Sequence, residues 1–260
     1  MTTAIFRMEL RLRARMVVLA AVGLILLTAV VGALFPSIGH SIGAVNLPTG
    51  VSDIVGGGDF ATIAGWLQIE VVSVYGPLVF AAVAITSAAA TTAGEEESRI
   101  LALVLAHPVP RATLLLAKGA AVACLLATLA VALFMGLLLA VALAGGGIGA
   151  ANLAAVSVHL LFLGVVVGAL AFALGAATGR RAAASGVTAA VTVLMFVVNG
   201  FAPAVPAISW LRYLTVFHYY EGQNQLAAGV HPGDLLVLAA AAAALIAVSL
   251  AGFARRDLRG

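Results

Sequence analysis

Gly94-Glu-Glu-Glu-Ser-Arg-Ile-Leu-Ala-Leu-Val-Leu-Ala-His-Pro-Val-Pro-Arg111, followed seven residues later by Lys118, sets three carboxylates in a row in a chain with few charges. Glu95, Glu96 and Glu97 open a helical pattern, where negative charge suits the exposed N–H groups and the positive end of the helix dipole. Ile100, Leu103 and Val104 then fall on one face, with Leu101 and Leu105 beside them. Pro108 and Pro110 stop the helix and disfavour helical geometry in the residues before them. The pattern predicts a short amphipathic helix over 95–106, a rigid turn, and Arg111 leading into the next apolar run. Such an element lies along a membrane surface, docks its face on a soluble partner, or is a solvated connector between two spans.

Outward from this stretch the chain is apolar in both directions. Of 260 residues, 63% are hydrophobic and 9% charged, against about one-quarter charged in an ordinary soluble domain. That excludes a water-soluble fold. Six apolar runs follow one another, 16–35, 69–92, 112–144, 153–177, 182–201 and 235–254. Each is long enough to cross about 30 Å of hydrocarbon at about 20 residues per helix. Pro77 predicts a kink in the second. The third exceeds a bilayer thickness, so its Lys118 end is expected to extend beyond the membrane. The first run is too long for a secretory h-region and lacks a small-x-small cleavage site, so it reads as a retained span.

Ahead of it, Ile5, Phe6, Met8, Leu10 and Leu12 interleave with Arg7, Arg11, Arg13 and Arg15. This predicts an amphipathic helix over 3–15 lying in the headgroup layer, its arginines toward anionic lipid, or a charged flank of the first span. The connectors alternate in charge. The N-terminus, the 94–118 connector, Arg180-Arg181 and the tail hold 12 of the 13 Lys and Arg residues, leaving Arg212 alone on the other side. The positive-inside rule puts both termini and the Glu-rich helix in the cytoplasm. Basic residues at membrane boundaries are topology signals, and nucleic acid is not an expected partner.

The segment 202–232 carries Trp210, Tyr213, Phe217, Tyr219 and Tyr220 between prolines. Aromatic rings with a polar edge suit a membrane interface, so one or two short helices re-entering the outer leaflet are expected there. The fold class read from these features is an all-α membrane protein with six transmembrane helices, an N-terminal interfacial helix, a cytoplasmic helix between spans two and three and an outer re-entrant segment.

Chemistry is sparse. No Gly-x-x-x-x-Gly-Lys-Ser/Thr run offers an ATP-binding loop, and no His-Glu-x-x-His or paired Cys-x-x-Cys offers a metal site. Cys124 is a single cysteine and cannot form an intrachain disulfide. His159 and Asn199, polar residues within spans, are candidates for a substrate path or for helix-to-helix hydrogen bonds. Gly164 and Gly168 form a small-xxx-small pair that permits close helix approach, with Gly175 further along the same span.

Acidic start, Leu-rich turn, Pro108, Val109, Arg111 and downstream Lys118 resemble the first cytoplasmic loop of ABC-2 type exporter permeases. Pro110 stands where that family usually has Ser, and Arg99-Ile100 where it often has Gly-Thr. The stretch Tyr213–Tyr220 before the last span and the closing Phe253–Leu258 resemble the same family. The resemblance implies that the chain is no enzyme and holds no cofactor. It would move a substrate using ATP and Mg bound in a separate ATPase, present in two copies, alongside a second permease, identical or different, in the cytoplasmic (inner) membrane. The 95–106 helix would be the coupling helix, with Glu95, Glu96, Glu97, Arg99, Ile100, Leu103, Pro108 and Arg111 meeting the ATPase. The competing classes are a force-transmitting membrane protein that moves no substrate, an ion-coupled carrier and an intramembrane enzyme. The first lacks a large outer domain here. The other two lack charges or catalytic clusters within the spans.

Overall fold

The computed structural model describes residues 2–39, 60–97, 110–221 and 224–255. Arg99, Ile100, Leu103 and Pro108 of the expected coupling helix therefore lie outside the described residues. Among those described, the protein is helical with no strand. Six helices are long and apolar enough to cross a membrane: Thr3–Ile38, Ile63–Glu97, Ala112–Leu143, Ala150–Thr178, Arg181–Ala204 and Pro232–Phe253.

Helix α1, Thr2–Leu34, is continuous, and a π-helical turn at Phe35–Gly39 closes it where Pro36 withholds a backbone donor. Nothing between Arg15 and Met16 breaks the helix. Ile5, Glu9, Val17, Leu24, Thr28, Val31 and Phe35 form one buried stripe along it. The stripe runs straight across the boundary expected between an interfacial helix and a first span, and it faces α3, Arg111–Leu143. The two helices approach closely because Gly32 and Gly136 carry no side chain. A Cβ at Gly32 would overlap the Ala140 backbone, and one at Gly136 would overlap the Thr28 hydroxyl.

Helix α2, Ile63–Glu97, changes pitch along its length. A π-helical stretch over Gln68–Tyr75 ends just before Pro77, and a second one covers Ala90–Gly94. Trp66 near its start donates from Nε1 to the Val31 carbonyl at 2.9 Å, tying α2 to the end of α1.

Three glycines with positive φ, Gly145, Gly146 and Gly147, turn the chain from α3 into α4, Ala150–Thr178. A side chain would be strained there. Helix α4 is the centre of the bundle, packed by α2 and α3, by α5 (Arg181–Phe201) and by the last helix. Its small face works as its sequence suggests: Gly164 lies against Phe80, Gly168 against Ala84 and Gly175 against Thr92, all on α2. Gly179, at φ 61°, caps α4 by donating to Gly175 O at 2.9 Å.

After α5 come 3₁₀ turns over Ala202–Ala204 and Pro206–Leu214, then the short helices α6, Val216–Glu221, and α7, Gln225–Ala228. Trp210 and Tyr213 point outward, whereas Phe217 and Tyr220 are buried. Helix α8, Pro232–Arg255, returns to pack on α4. Arg13, Lys118 and Arg181 mark one end of the bundle, called here the basic end. Residues 202–221 and 224–228 form the other, the aromatic end.

Candidate functional sites at the two ends of the bundle

At the basic end, Lys118 is 1% exposed and Glu9 is 1% exposed. Lys118 Nζ donates to Glu9 Oε1 at 3.0 Å, to the Thr91 carbonyl at 2.9 Å and to Glu95 Oε2. Arg13, one turn along α1, pairs with the other oxygen of Glu9, which also accepts from Thr91 Oγ1 at 3.3 Å. Two carboxylates thus meet two cations, so the group is neutral when all four are ionised. Buried charges are costly in an apolar bundle, and pairing with further hydrogen bonds is what offsets that cost. One lysine thereby joins α1, the end of α2 and the start of α3.

This changes the picture of the three expected coupling glutamates. Glu95 is buried against Lys118 rather than turned to a partner surface. Glu97 is exposed and accepts from the Arg181 backbone N–H at 2.8 Å, which places a carboxylate on the N-terminus of α5. Glu96 lies between them, half-buried. Lys118 is buried inside the bundle, where the start of α3 packs on α1 and α2. Arg111 begins α3.

The two candidates within the spans lie apart. His159 is fully buried on α4 and lies 2.8 Å from its own helix's Ala155 carbonyl through Nδ1, so that nitrogen carries the proton. It shares no site with Asn199. Asn199, at the end of α5, accepts from Thr215 Oγ1 at 3.3 Å and donates to Glu221 Oε2 at 3.5 Å.

That second contact leads to Glu221, which no sequence motif marks as part of a site. Glu221 ends α6 with its carboxylate turned into the bundle, where it also accepts from Ser73 of α2. Burial pushes its carboxyl above the ordinary value, while hydrogen bonds from Ser73 and Gln68 pull it back in part. Beside it, Tyr220 donates from its hydroxyl to the Val72 carbonyl at 2.7 Å, within the π-helical stretch of α2. The signal that could have found Glu221 is its place in an aromatic run, Phe217 to Tyr220, at the end of a helical turn.

Among the described residues, no group of three or more His, Cys, Asp or Glu side chains could hold a metal ion. No curated protein matches the chain. A family model described as "ABC-2 family transporter protein" matches residues 3–258.

Proposed function

The chain belongs to the ABC-2 family of transporter proteins, and from that premise we propose that this multi-pass membrane permease exports its substrate with ATP hydrolysed by a separate subunit. In this reading two permeases, identical or different, pair with two copies of an ATPase that holds ATP and Mg. The permease sits in the cytoplasmic membrane, lipid surrounds its apolar faces, and both termini are cytoplasmic. The translocation path would lie between the two permeases.

The observation that carries the coupling part is the buried ion group around Lys118. The connector 98–109 leaves α2 directly after Glu95, Glu96 and Glu97 and rejoins the bundle at Arg111. Its first anchor, Glu95, is tied through Lys118 to α1 and α3, and Glu97 ties the same turn to α5. A displacement of the connector by a closing ATPase pair would therefore be passed to several helices together, as a rigid-body shift.

The test is reconstitution. Purified in lipid with its cognate ATPase, the chain is expected to co-elute with it and to alter its rate of ATP hydrolysis. Hydrolysis by the chain alone, or failure of any ATPase to co-elute, would refute the proposal.

A further inference from the structure

An apolar groove runs between α2 and α5, and a carboxylate lies one helical turn from its Phe217 wall. Val74 and Leu78 of α2, Thr192 and Phe196 of α5 and Phe217 of α6 line a cavity of about 300 Å³. Phe196 and Phe217 meet edge to face with ring centroids 5.5 Å apart. Each of the three elements then supplies a polar side chain at its next position toward the aromatic end. Ser73 adjoins Val74, Asn199 is one turn beyond Phe196, and Glu221 is one turn beyond Phe217. These polar groups converge, since Ser73 donates to one oxygen of Glu221 and Asn199 to the other.

The donors that surround Glu221 are all neutral: Ser73, Asn199 and Gln68. Among the described residues no Lys, Arg or His forms an ion pair with it, although Glu9 and Glu95 at the basic end share Lys118. A carboxylate drawn partly out of water is incompletely compensated by neutral donors, and a counter-cation compensates it further. Glu221 as a residue keeps part of its surface exposed.

The geometry points to a ligand site for amphiphilic organic cations, with the apolar body in the α2–α5 groove and the cationic head at Glu221. Glu221 selects by charge, and Ser73 and Asn199 hold its carboxylate in position. A neutral ligand of the same shape fills the groove but leaves the carboxylate unmatched, and an anion is repelled. This rests on the transporter reading, in which such cations are the substrate class.

The experiment uses the permease in lipid nanodiscs, titrated calorimetrically with empty nanodiscs subtracted. The probes are benzyltrimethylammonium, its uncharged carbon isostere neopentylbenzene, and benzenesulfonate. Wild-type protein is expected to favour the cation over the isostere by roughly tenfold or more and to show no saturable binding of the anion. Glu221→Gln is expected to reduce that preference to about twofold or less while leaving the isostere's affinity unchanged. Phe196→Ala should weaken cation and isostere alike. No saturable cation binding, equal affinity for cation and isostere in the wild type, or an undiminished preference in Glu221→Gln would each overturn the site. The wild-type comparison decides the matter even if the variant does not fold. ATPase co-elution from the same preparation separates the two ideas: retained co-elution with charge-blind binding sinks only the site, and charge-selective binding without any ATPase sinks only the transporter reading.

Discussion

Replacing Lys118 by Met removes an ammonium and leaves a side chain of similar length among the same helices. The wild-type ammonium has three partners, Glu9 at 3.0 Å, the Thr91 carbonyl at 2.9 Å and Glu95, and is 1% exposed. In the variant the two buried carboxylates of Glu9 and Glu95 are left beside each other without the ammonium they shared. Arg13 remains on Glu9 alone. Breaking a buried pair by deleting one partner costs about 3–5 kcal/mol, because the surviving charge stays uncompensated. The loss at Lys118 is expected in that range.

The triple variant Glu9→Met, Glu95→Met, Lys118→Met removes both carboxylates as well. Replacing a buried ion group by well-packed hydrophobic residues of similar volume is often neutral or stabilising by about 1–4 kcal/mol. Arg13 lies nearer the edge of the bundle and can extend its head outward. The triple variant should therefore recover most of the stability lost in Lys118→Met. The assay is reversible unfolding in bicelles at pH 7, followed by steric trapping. A single variant within about 0.5 kcal/mol of wild type, the range of an ordinary surface change, would refute the account of the group. So would a triple variant no more stable than the single.

Cysteines at Ser52 and Ser98, with Cys124 removed, should label from opposite sides of the membrane; labelling of both from outside would overturn the proposed orientation. Gly136→Ala should cost about 1–3 kcal/mol by overpacking against Thr28 and the Ile25 backbone. Gly119→Ala on the same helix meets nothing and should gain up to about 1 kcal/mol of helix propensity, both read by the same unfolding assay. Glu221 has a carboxyl value raised above the ordinary 4.5, so its contribution to stability is full below that value and falls away as pH rises through the raised one. Glu221→Gln should flatten the stability–pH curve in that window, and an unchanged slope would show that another group sets it. Ile100→Ser with Leu103→Ser should detach the ATPase in co-elution without altering the permease's own unfolding.

Hydropathy made the six spans legible, because a bilayer demands about 20 apolar residues per crossing and leaves little freedom in where they fall. The small face of α4 was legible for a similar reason: Gly164, Gly168 and Gly175 expose backbone wherever they occur, and a neighbour fills the space. The ion group was not legible. Glu9 and Lys118 are separated by 109 residues, and nothing local in either sequence marks them as partners. The alternation of Arg7, Arg11, Arg13 and Arg15 suggested a helix lying flat, whereas the buried stripe that passes through Glu9 belongs to one helix running on to Leu34. Glu221 was hidden differently. Its turn into the bundle depends on α6 folding back over Ser73 and Asn199, and that path is set by tertiary packing.

The long partnership of α1 with α3 has a consequence for biosynthesis. Helix α1 leaves the ribosome before α2 and α3, yet the helix that covers its stripe is not its neighbour in the chain. At roughly 5–20 residues per second, the 109 residues between Glu9 and Lys118 take about 5–20 seconds to make. Through that interval Glu9 has Arg13 on its own helix and, once α2 is made, the Thr91 hydroxyl, but no lysine. The nascent chain thus waits with a half-finished charge group until α3 arrives, and the insertion machinery must tolerate that state.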